Sequence, residues 1–376
     1  MQRIDHPLLS PSLGSYKTLT SFHFGKSGTG PKVYIQASLH AEELPGMLVA
    51  HHLRALLEAA DAAGQIRGEV VLVPVANPIG LAQRVDHKAM GRFELDSSEN
   101  FNRHYPEMAA LVWPVVKEAL GPVPQDNVTT VRRAMGQYLQ AWVADTELQS
   151  LRRHLLLLSH DADFMLDLHC DCEAVMHFYT EESCWPQFES LTRLLQCQAI
   201  LLAKNSGGGP IDEALSGVWW RMKDMISAAG LSAPLPQGCC SCTIELRGEG
   251  DVDHGLARAD AQAVFEFLQH AGAVAAPAPV QLPPARCEPT PLAGSETLRT
   301  PVSGVVAFVA SVGQALQVGD LVAEVIDPIA NQTHKVVAGV AGILYAHVSE
   351  RYVTTGGEIG KIAGATAFRT GDLLGA

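Results

Sequence analysis

The sequence predicts an α/β fold, in which helices flank a sheet, followed by a small all-β domain. Apolar runs of strand character, such as 32–39 and 162–169, alternate with segments of helical spacing, such as 46–60. Beyond residue 295, short β segments and glycine turns replace this alternation. A chain of 376 residues is long enough to form two domains of this kind.

The α/β part is predicted element by element up to residue 271. Residues 1–30 are expected to contribute an entry strand and loops. The predicted strands are 32–39, 68–75, 162–169 and 241–248, and the predicted helices are 46–60, 107–160, 255–271 and a segment around Trp219 and Trp220. The strand at 68–75 has few polar positions, which indicates burial on both faces of the sheet.

Residues 91–106 show neither a helical nor a strand period and are predicted to form a long loop. This loop contains Arg92 and Arg103 in an otherwise acidic protein. Long structureless loops inside compact domains are often functional, and a solvated surface loop is the alternative. A second loop at 205–210 lacks the Gly-Lys-Ser/Thr ending of a phosphate cradle, so it gives little support for nucleotide binding.

Alanines and prolines after residue 273 predict a linker between the two domains. The predicted division is an α/β domain at 1–273, a proline-rich linker at 274–294 and a β domain at 295–376. Oligomeric state stays open at this point, and a homo-oligomer is compatible with the sequence.

The predicted β domain contains an internal repeat. Residues 301–306 recur as 339–344, which favours a small sandwich or barrel built from two similar halves. It resembles the flattened barrels of biotinyl and lipoyl carrier domains, but the connection at 327–332 has no lysine to be modified. We therefore expect no attached cofactor and a role in structure or in access to the site.

Composition narrows the class of protein. The hydrophobic fraction of 47% and the charged fraction of 18% are typical of a soluble globular protein. No run approaches the roughly 18 apolar residues that a membrane helix needs, and the N-terminus lacks the apolar core of a signal peptide. We therefore expect a cytoplasmic protein that does not bind membranes. The net charge of −13 argues against nucleic acid as a partner.

The eight cysteines show no regular spacing of a disulfide framework. Two clusters, Cys170 with Cys172 and Cys239 with Cys240 and Cys242, could hold a structural zinc ion. Reduced thiols that serve as small core residues are the preferred interpretation.

A histidine and a carboxylate follow the first predicted strand. His40 and Glu43 come after 32–39 and before the helix at 46–60, which places them in a loop at the carboxyl end of a strand. Two histidines, one glutamate and a water form a known arrangement for catalytic zinc. The pair therefore supplies two of the three protein ligands of such a site.

Two further strands end at, or contain, chemically active side chains. His169 ends the strand at 162–169, and Asp167 lies two residues earlier on the same face, where it could orient the imidazole. Glu245 interrupts the apolar strand at 241–248. A carboxylate in such a strand is costly to bury unless it is paired or used.

These motifs occur in the order found in zinc carboxypeptidase-like hydrolases, and they most resemble the succinylglutamate desuccinylase/aspartoacylase family. The resemblance covers roughly residues 30–365 and rests on four motifs: His40-x-x-Glu43, Asn102-Arg103, His169 and Thr243-x-Glu245. The first motif departs from the family pattern, because Ala41 and Glu42 replace a glycine and an asparagine, and the proline is displaced to Pro45.

The resemblance implies a mixed sheet flanked by helices, a C-terminal β domain and one Zn²⁺ per chain. The implied ligands are His40, Glu43 and His169, with Glu245 as general base, Arg92 as oxyanion stabiliser, and Arg103 and Asn102 as groups that bind a substrate carboxylate. An N-acyl amino acid, a small molecule, uses all of these groups. The predicted activity is removal of its acyl group by amide hydrolysis.

Three alternatives remain open. A carboxypeptidase-like peptidase or an esterase could use the same zinc, and a non-catalytic zinc-binding protein could use the thiol clusters. Glu245 counts against the last, because a structural zinc site has no use for a base. If Glu42 faces the pocket, it could favour an acylated diamino acid; a solvated loop residue is the preferred interpretation.

Overall fold

The computed structural model describes residues 1–375 and contains one large mixed sheet with helices on both faces. The strands are β1 (Gln2–Pro7), β2 (Thr18–Gly25), β3 (Lys32–Ala37), β4 (Glu69–Val73), β5 (Arg84–Val85), β6 (Lys88–Ala89), β7 (Phe164–Asp171), β8 (Glu173–Ala174), β9 (Met176–Glu181), β10 (Ala199–Ala203), β11 (Cys240–Gly248), β12 (Thr290–Pro291), β13 (Ser295–Arg299), β14 (Gly304–Phe308), β15 (Ala315–Leu316), β16 (Leu321–Asp327), β17 (Gln332–Val337), β18 (Gly342–His347), β19 (Tyr352–Val353) and β20 (Glu358–Gly364). The helices are α1 (Pro45–Ala62), α2 (Pro78–Ala82), α3 (Met108–Val116), α4 (Pro124–Ala141), α5 (Glu147–Ser159), α6 (Trp185–Leu194), α7 (Ile211–Ala228) and α8 (His254–His270). Within the described chain, none of these helices has both the length and the apolar character needed to cross a membrane.

The large sheet has the strand order β1-β2-β4-β3-β7-β11-β9-β10-β12. Its central strands β4, β3, β7 and β11 are parallel, whereas β2 and β9 run antiparallel to their inner neighbours. Because parallel strands point the same way, the carboxyl ends of β3, β7 and β11 meet at one edge of the sheet. The motifs of the sequence analysis lie along this edge.

Successive side chains of the central strands enter two separate cores on opposite faces of the sheet. Tyr34 and Met165 pack with helices α3, α4, α5 and α7, while Ile35 and Leu166 pack with α1, α6 and α8. The strand β4 is buried on both faces, as its lack of polar positions predicts. The predicted fold, a mixed sheet flanked by helices, is confirmed.

The predicted elements are present, with shifted ends and one division. The helical stretch 107–160 is three helices, since Pro124 begins α4 and Thr146 caps α5. Residues 91–106 form a loop without helix or extended strand, as expected. The sequence analysis assigned no element to 173–204, which contain β8, β9, α6 and β10.

The strands after residue 294 form two further antiparallel sheets, in agreement with the all-β prediction for this part. One has the order β13-β20-β18-β15 and is joined by β8, and the other has the order β17-β16-β14-β19. The repeated segments contribute β14 to one sheet and β18 to the other. Residues 275–289 contain no helix or strand. The division into domains at 273 and 295 stays a prediction, and so does the resemblance to carrier barrels.

Candidate metal centre

His40 and Glu43 lie in the turn that joins β3 to α1. The amide of Glu43 donates to the carbonyl of His40 at 3.1 Å, and the Ser38 hydroxyl donates to the carbonyl of Glu43 at 3.0 Å. Gly46 lets α1 approach β7 closely, because a Cβ there would lie 3.0 Å from the carbonyl oxygen of Leu168. The local backbone therefore holds both side chains at the carboxyl edge of the sheet.

His169 contributes the third side chain from β7, the neighbour of β3. Its Nδ1 lies 2.8 Å from Glu43 Oε2, and Nδ1 of His40 lies 2.9 Å from Oε1 of the same carboxylate. All three side chains are buried, and their ligand atoms lie within 4.8 Å of one another. Across residues 1–375 this is the only group of three or more His, Cys, Asp or Glu side chains that could hold a metal ion.

The outer nitrogen of each imidazole faces a side-chain oxygen. Nε2 of His40 lies 2.9 Å from Asn100 Oδ1, which also accepts a hydrogen bond from the Asn102 amide at 2.8 Å. Because that oxygen accepts, His40 carries its proton on Nε2 and presents a lone pair on Nδ1. Nε2 of His169 lies 3.0 Å from Oδ2 of Asp167, as the strand period predicted.

The ionisation of His40 and Glu43 suits a cation, whereas His169 must first release a proton, because the carboxylates of Asp167 and Glu43 outweigh burial and raise the pKa of His169 well above its usual value. Burial, and then the charge of Arg92, lower the pKa of His40 to about 4, so its imidazole is neutral. Burial opposes ionisation of Glu43, but both imidazoles hold its pKa well below the usual range. A neutral Nδ1 lone pair therefore faces a carboxylate at 2.9 Å, an arrangement that a cation stabilises. Two imidazoles and a carboxylate are ligands that divalent zinc accepts.

Glu245 lies on β11 in register with His169 on β7. Its Oε2 is buried and has no hydrogen-bond partner among residues 1–375. Burial, and then the negative charge of Glu43, raise the pKa of Glu245 to about 8. The side chain interacts electrostatically with Glu43 and His169 without belonging to the metal-binding group.

The two arginines of the loop 91–106 reach the same region by different routes. Nη1 of Arg92 lies 3.4 Å from Glu43 Oε1 and 3.3 Å from His40 Nδ1, and its side chain is 41% exposed. Arg103 is buried and donates to the carbonyl oxygens of Asn102 and Gly375. The side-chain oxygen of Asn102 accepts a hydrogen bond from the first amide of α7 at 3.0 Å, so Asn102 ties this loop to that helix.

These residues line a cavity of about 380 Å³ that extends from the sheet edge to the C-terminal strands. His40, Glu43, Arg92, Asn102, Arg103, His169 and Glu245 all belong to its lining. The opposite side includes Tyr345, Lys361 and residues 372–375. Lys361 on β20 donates to Asp171 on β7 at 2.7 Å, which fixes the C-terminal strands against the sheet edge.

Several predicted or considered residues lie elsewhere. Glu42 does not contribute to the lining of this cavity. Its carboxylate packs against Gly91, where a Cβ would lie only 2.5 Å from Glu42 Oε2. All eight cysteines are free thiols, six of them buried, and none belongs to the metal-binding group found in the described chain.

The sequence analysis missed two residues near the site. Asn100 was missed because its loop offers no periodic signal, and Glu181 was missed because no element was assigned around it.

Comparison with protein-family models and with curated proteins gives two findings. Residues 29–121 match the family model of the succinylglutamate desuccinylase/aspartoacylase catalytic domain. No curated protein matches the sequence significantly. The matched segment includes His40 and Glu43 and ends before His169 and Glu245.

Solved structures extend the similarity to nearly the whole chain. Proteins assigned to the succinylglutamate desuccinylase/aspartoacylase family from Shewanella frigidimarina and Shewanella amazonensis are 23% and 24% identical, with TM-scores of 0.84 and 0.83. Each alignment covers 96% of this chain, and 97% and 98% of the respective relative. The ectoine utilisation protein EutE (DoeB) from Ruegeria pomeroyi, solved with product bound, is 16% identical with a TM-score of 0.65, over 97% of this chain and 94% of its own. The chain thus resembles the succinylglutamate desuccinylase/aspartoacylase family in the sequence of residues 29–121 and in its overall fold, as its motifs predict.

Proposed function

We propose that this protein is a zinc-dependent hydrolase that removes the acyl group from an N-acylated amino acid. The observation that carries the proposal is the buried group of His40, Glu43 and His169, with the unpartnered carboxylate of Glu245 beside it. The resemblance to a family of desuccinylases and aspartoacylases supports a hydrolase. Each site residue predicted from the sequence then has a stated task.

His40, Glu43 and His169 would hold the zinc. When bound, zinc lowers the pKa of a water from about 15.7 to about 7, which makes hydroxide available at neutral pH. Glu245 would accept the water proton and deliver it to the leaving nitrogen. Its pKa, raised to about 8 by burial and by Glu43, lies near neutrality, where both proton acceptance and proton delivery are accessible.

The arginines would supply the positive charge that the substrate requires. Arg92 borders the metal-binding group and would stabilise the oxygen that becomes negative as the amide is attacked. Arg103 would bind the free carboxylate of the amino acid, since a guanidinium pairs with a carboxylate through two parallel hydrogen bonds. Asn102 would hold Arg103 in place through its carbonyl oxygen, which accepts from Nη1 at 2.8 Å.

The size and enclosure of the cavity support a small substrate over a polypeptide. Its volume of about 380 Å³ is bounded on one side by the C-terminal strands and by residues 372–375. A carboxypeptidase needs a groove that is open on one side, through which the rest of the peptide chain leaves the site. The cavity is of the size found for small-molecule ligands.

The test is amine release from a panel of N-acetyl, N-succinyl and N-formyl amino acids. Each compound is assayed with and without a chelator, with zinc added back, and beside its twin in which the carboxylate is amidated. The proposal expects release that the chelator abolishes, that zinc restores and that needs the free carboxylate. Release that survives the chelator contradicts zinc dependence. Hydrolysis of ester analogues or of peptides, with no amine released from the N-acyl amino acids, contradicts the proposed substrate.

A further inference from the structure

One wall of the cavity carries three buried carboxylates and one buried hydroxyl, which we call the acidic wall: Glu181, Ser206, Asp212 and Glu213. Glu181 ends β9, and the two other acids stand in the first turn of α7. Each of the four residues is less than one-tenth exposed. Burial, and then mutual repulsion, raise the pKa of Glu213 to about 7.

The acidic wall is incompletely hydrogen-bonded. Glu213 Oε1 accepts from the Ser206 amide at 2.7 Å, and Asp212 Oδ2 accepts from the Thr243 hydroxyl at 3.1 Å. Their second oxygens, Glu213 Oε2 and Asp212 Oδ1, are buried and have no partner among residues 1–375. The Oγ of Ser206, a residue only 3% exposed, also has none. Buried acceptors without donors are costly, so a group that donated to these oxygens would stabilise the wall.

The start of α7 explains the presence of only two of these acids, Asp212 and Glu213. Negative charge at the first turn of α7 is favoured by the helix dipole. That effect does not involve Glu181 on β9, and it leaves the buried oxygens without donors. Glu181 itself is satisfied, because Trp220 Nε1 donates to it at 3.1 Å and the Ser183 hydroxyl at 3.3 Å. Burial, however, raises the pKa of Glu181 to about 8, so this carboxyl keeps its proton at neutral pH unless a cation lies beside it.

Neighbouring basic groups are directed elsewhere. In the described chain, no lysine, arginine or histidine nitrogen lies within 4.0 Å of the carboxylates of Glu181, Asp212 or Glu213. The guanidinium of Arg103 donates to two backbone carbonyls, and that of Arg221 lies 4.4 Å from the centre of the Trp220 ring. The charges of Arg103 and Arg221 thus act on these acids only from beyond ion-pair distance, and no basic group of the described chain pairs with the wall directly.

We propose that the acidic wall binds a primary ammonium group on the amine half of the substrate, so that the substrate is an acylated diamino acid. An ammonium group has three N–H donors, and the wall offers three acceptors without partners: Asp212 Oδ1, Glu213 Oε2 and Ser206 Oγ. Arg103 lines the same cavity and would hold the carboxylate of the same molecule.

This inference rests on the proposed function and names its substrate class. Hydrolysis adds one water: the acyl carbon gains oxygen as the C–N bond breaks, and the leaving nitrogen gains the proton. The products are a carboxylic acid and a free diamino acid. The sequence analysis considered Glu42 as the group that would select an amine; the acidic wall takes over that task, since Glu42 lies outside the cavity lining.

The test compares substrates that differ only at the ammonium group. Nα-acetylornithine is paired with Nα-acetylnorleucine, in which a methyl replaces the ammonium, and Nδ-acetylornithine is paired with 5-acetamidopentanoate, which lacks the α-ammonium. We expect kcat/KM to be about 10- to 100-fold higher for the ammonium-bearing member of at least one pair, as is typical of hydrogen bonds to charged groups. The favoured pair also tells which nitrogen carries the acyl group.

Two isosteric variants connect the preference to the wall. Glu213→Gln and Asp212→Asn should bring the kcat/KM values of the two members of the favoured pair closer together, so that their ratio approaches one, mainly through a change in KM. Glu182→Gln removes an exposed acid next to Glu181 and should leave the ratio unchanged. Zinc content and the melting temperature of each variant show whether the site and the fold are retained.

Binding provides a readout that does not depend on turnover. Calorimetry should show that ornithine binds the zinc-loaded protein at least about 10-fold more tightly than norleucine, and that Glu213→Gln loses this difference. Equal binding and equal turnover within both pairs would overturn the inference while leaving the proposed function intact. A second divalent metal bound in the parent and lost in Glu213→Gln would also overturn it. Absence of amine release from every compound, with ornithine still preferred in binding, would refute the proposed function instead.

Discussion

The metal-binding group and the acidic wall both line the cavity, and they differ in how many of their polar atoms lie close to a partner. In the metal-binding group, every imidazole nitrogen of His40 and His169 lies within 3.0 Å of a side-chain oxygen. In the acidic wall, three buried acceptor atoms have no partner within residues 1–375. The metal-binding group is held mainly by contacts within the protein, although Nε2 of His169 and both carboxylate oxygens of Asp167 make no hydrogen bond within residues 1–375, whereas the acidic wall leaves three acceptors open on the side of the amine. Changes to the metal-binding group are therefore expected to abolish catalysis, whereas changes to the acidic wall are expected to abolish the preference for an ammonium group.

The largest expected effect is the loss of one metal ligand. His169→Ala should lose both the zinc and all measurable amine release, because two remaining ligands do not hold a catalytic zinc. Zinc content by atomic absorption and amine release on the same sample check this. His52→Ala, which removes a surface imidazole 3.0 Å from His254, is the control and should keep both. Full activity in a zinc-free His169→Ala protein would refute the ligand assignment.

A smaller effect is expected where the substrate carboxylate binds. Arg103→Met should reduce kcat/KM by about 100-fold for substrates with a free carboxylate, because the charged hydrogen bonds are lost. The amidated twin should be nearly unaffected, and Arg133→Met, at an exposed arginine of α4, serves as the control. An equal loss on both substrates would indicate a structural role for Arg103.

The residues behind the imidazoles should tune metal binding without abolishing it. Asn100→Ala removes the oxygen that fixes the His40 tautomer and should weaken zinc binding about 10- to 100-fold. Competition with a chelator of known affinity measures this. Glu213→Gln, on the acidic wall, should leave zinc affinity unchanged. An unaltered affinity in Asn100→Ala would show that the tautomer of His40 is fixed by another contact.

The smallest effect concerns the contact between the C-terminal strands and the sheet edge. Lys361→Met leaves Asp171 without its partner and should lower the free energy of unfolding by about 1 to 2 kcal/mol, because both side chains keep part of their exposure. Denaturant titration measures it. Lys335→Met, at an exposed lysine of β17, should change stability by less than about 0.5 kcal/mol. Similar values for the two variants would show that the ion pair does not stabilise the fold.

The metal-binding group could be predicted from the sequence, and the acidic wall could not. Two apolar runs that each end at a histidine indicate parallel strands whose carboxyl ends meet, and a period of two places Asp167 behind His169. Glu181 gave no such signal, because β9 was not recognised as a strand. Asp212 and Glu213 look like ordinary acids at a helix start, and only the tertiary structure reveals their unpartnered oxygens.

The same limit applies to the C-terminal strands. Their repeat and their glycine turns predicted an all-β region, since both are local features of the chain. The contact of Lys361 with Asp171 joins residues 190 positions apart, and no periodicity relates them. The enclosure of the cavity from this side is therefore a finding of the tertiary structure.

The most direct test of the central claim measures zinc content and amine release together in Glu245→Gln. Three residues are proposed to hold the metal and a fourth to move the proton, so this isosteric change should keep one zinc per chain. Turnover should fall by about 10²- to 10⁴-fold, as is typical when a general base is removed. Turnover equal to that of the parent, or loss of the zinc together with the activity, would contradict the separation of metal binding from proton transfer on which the account depends.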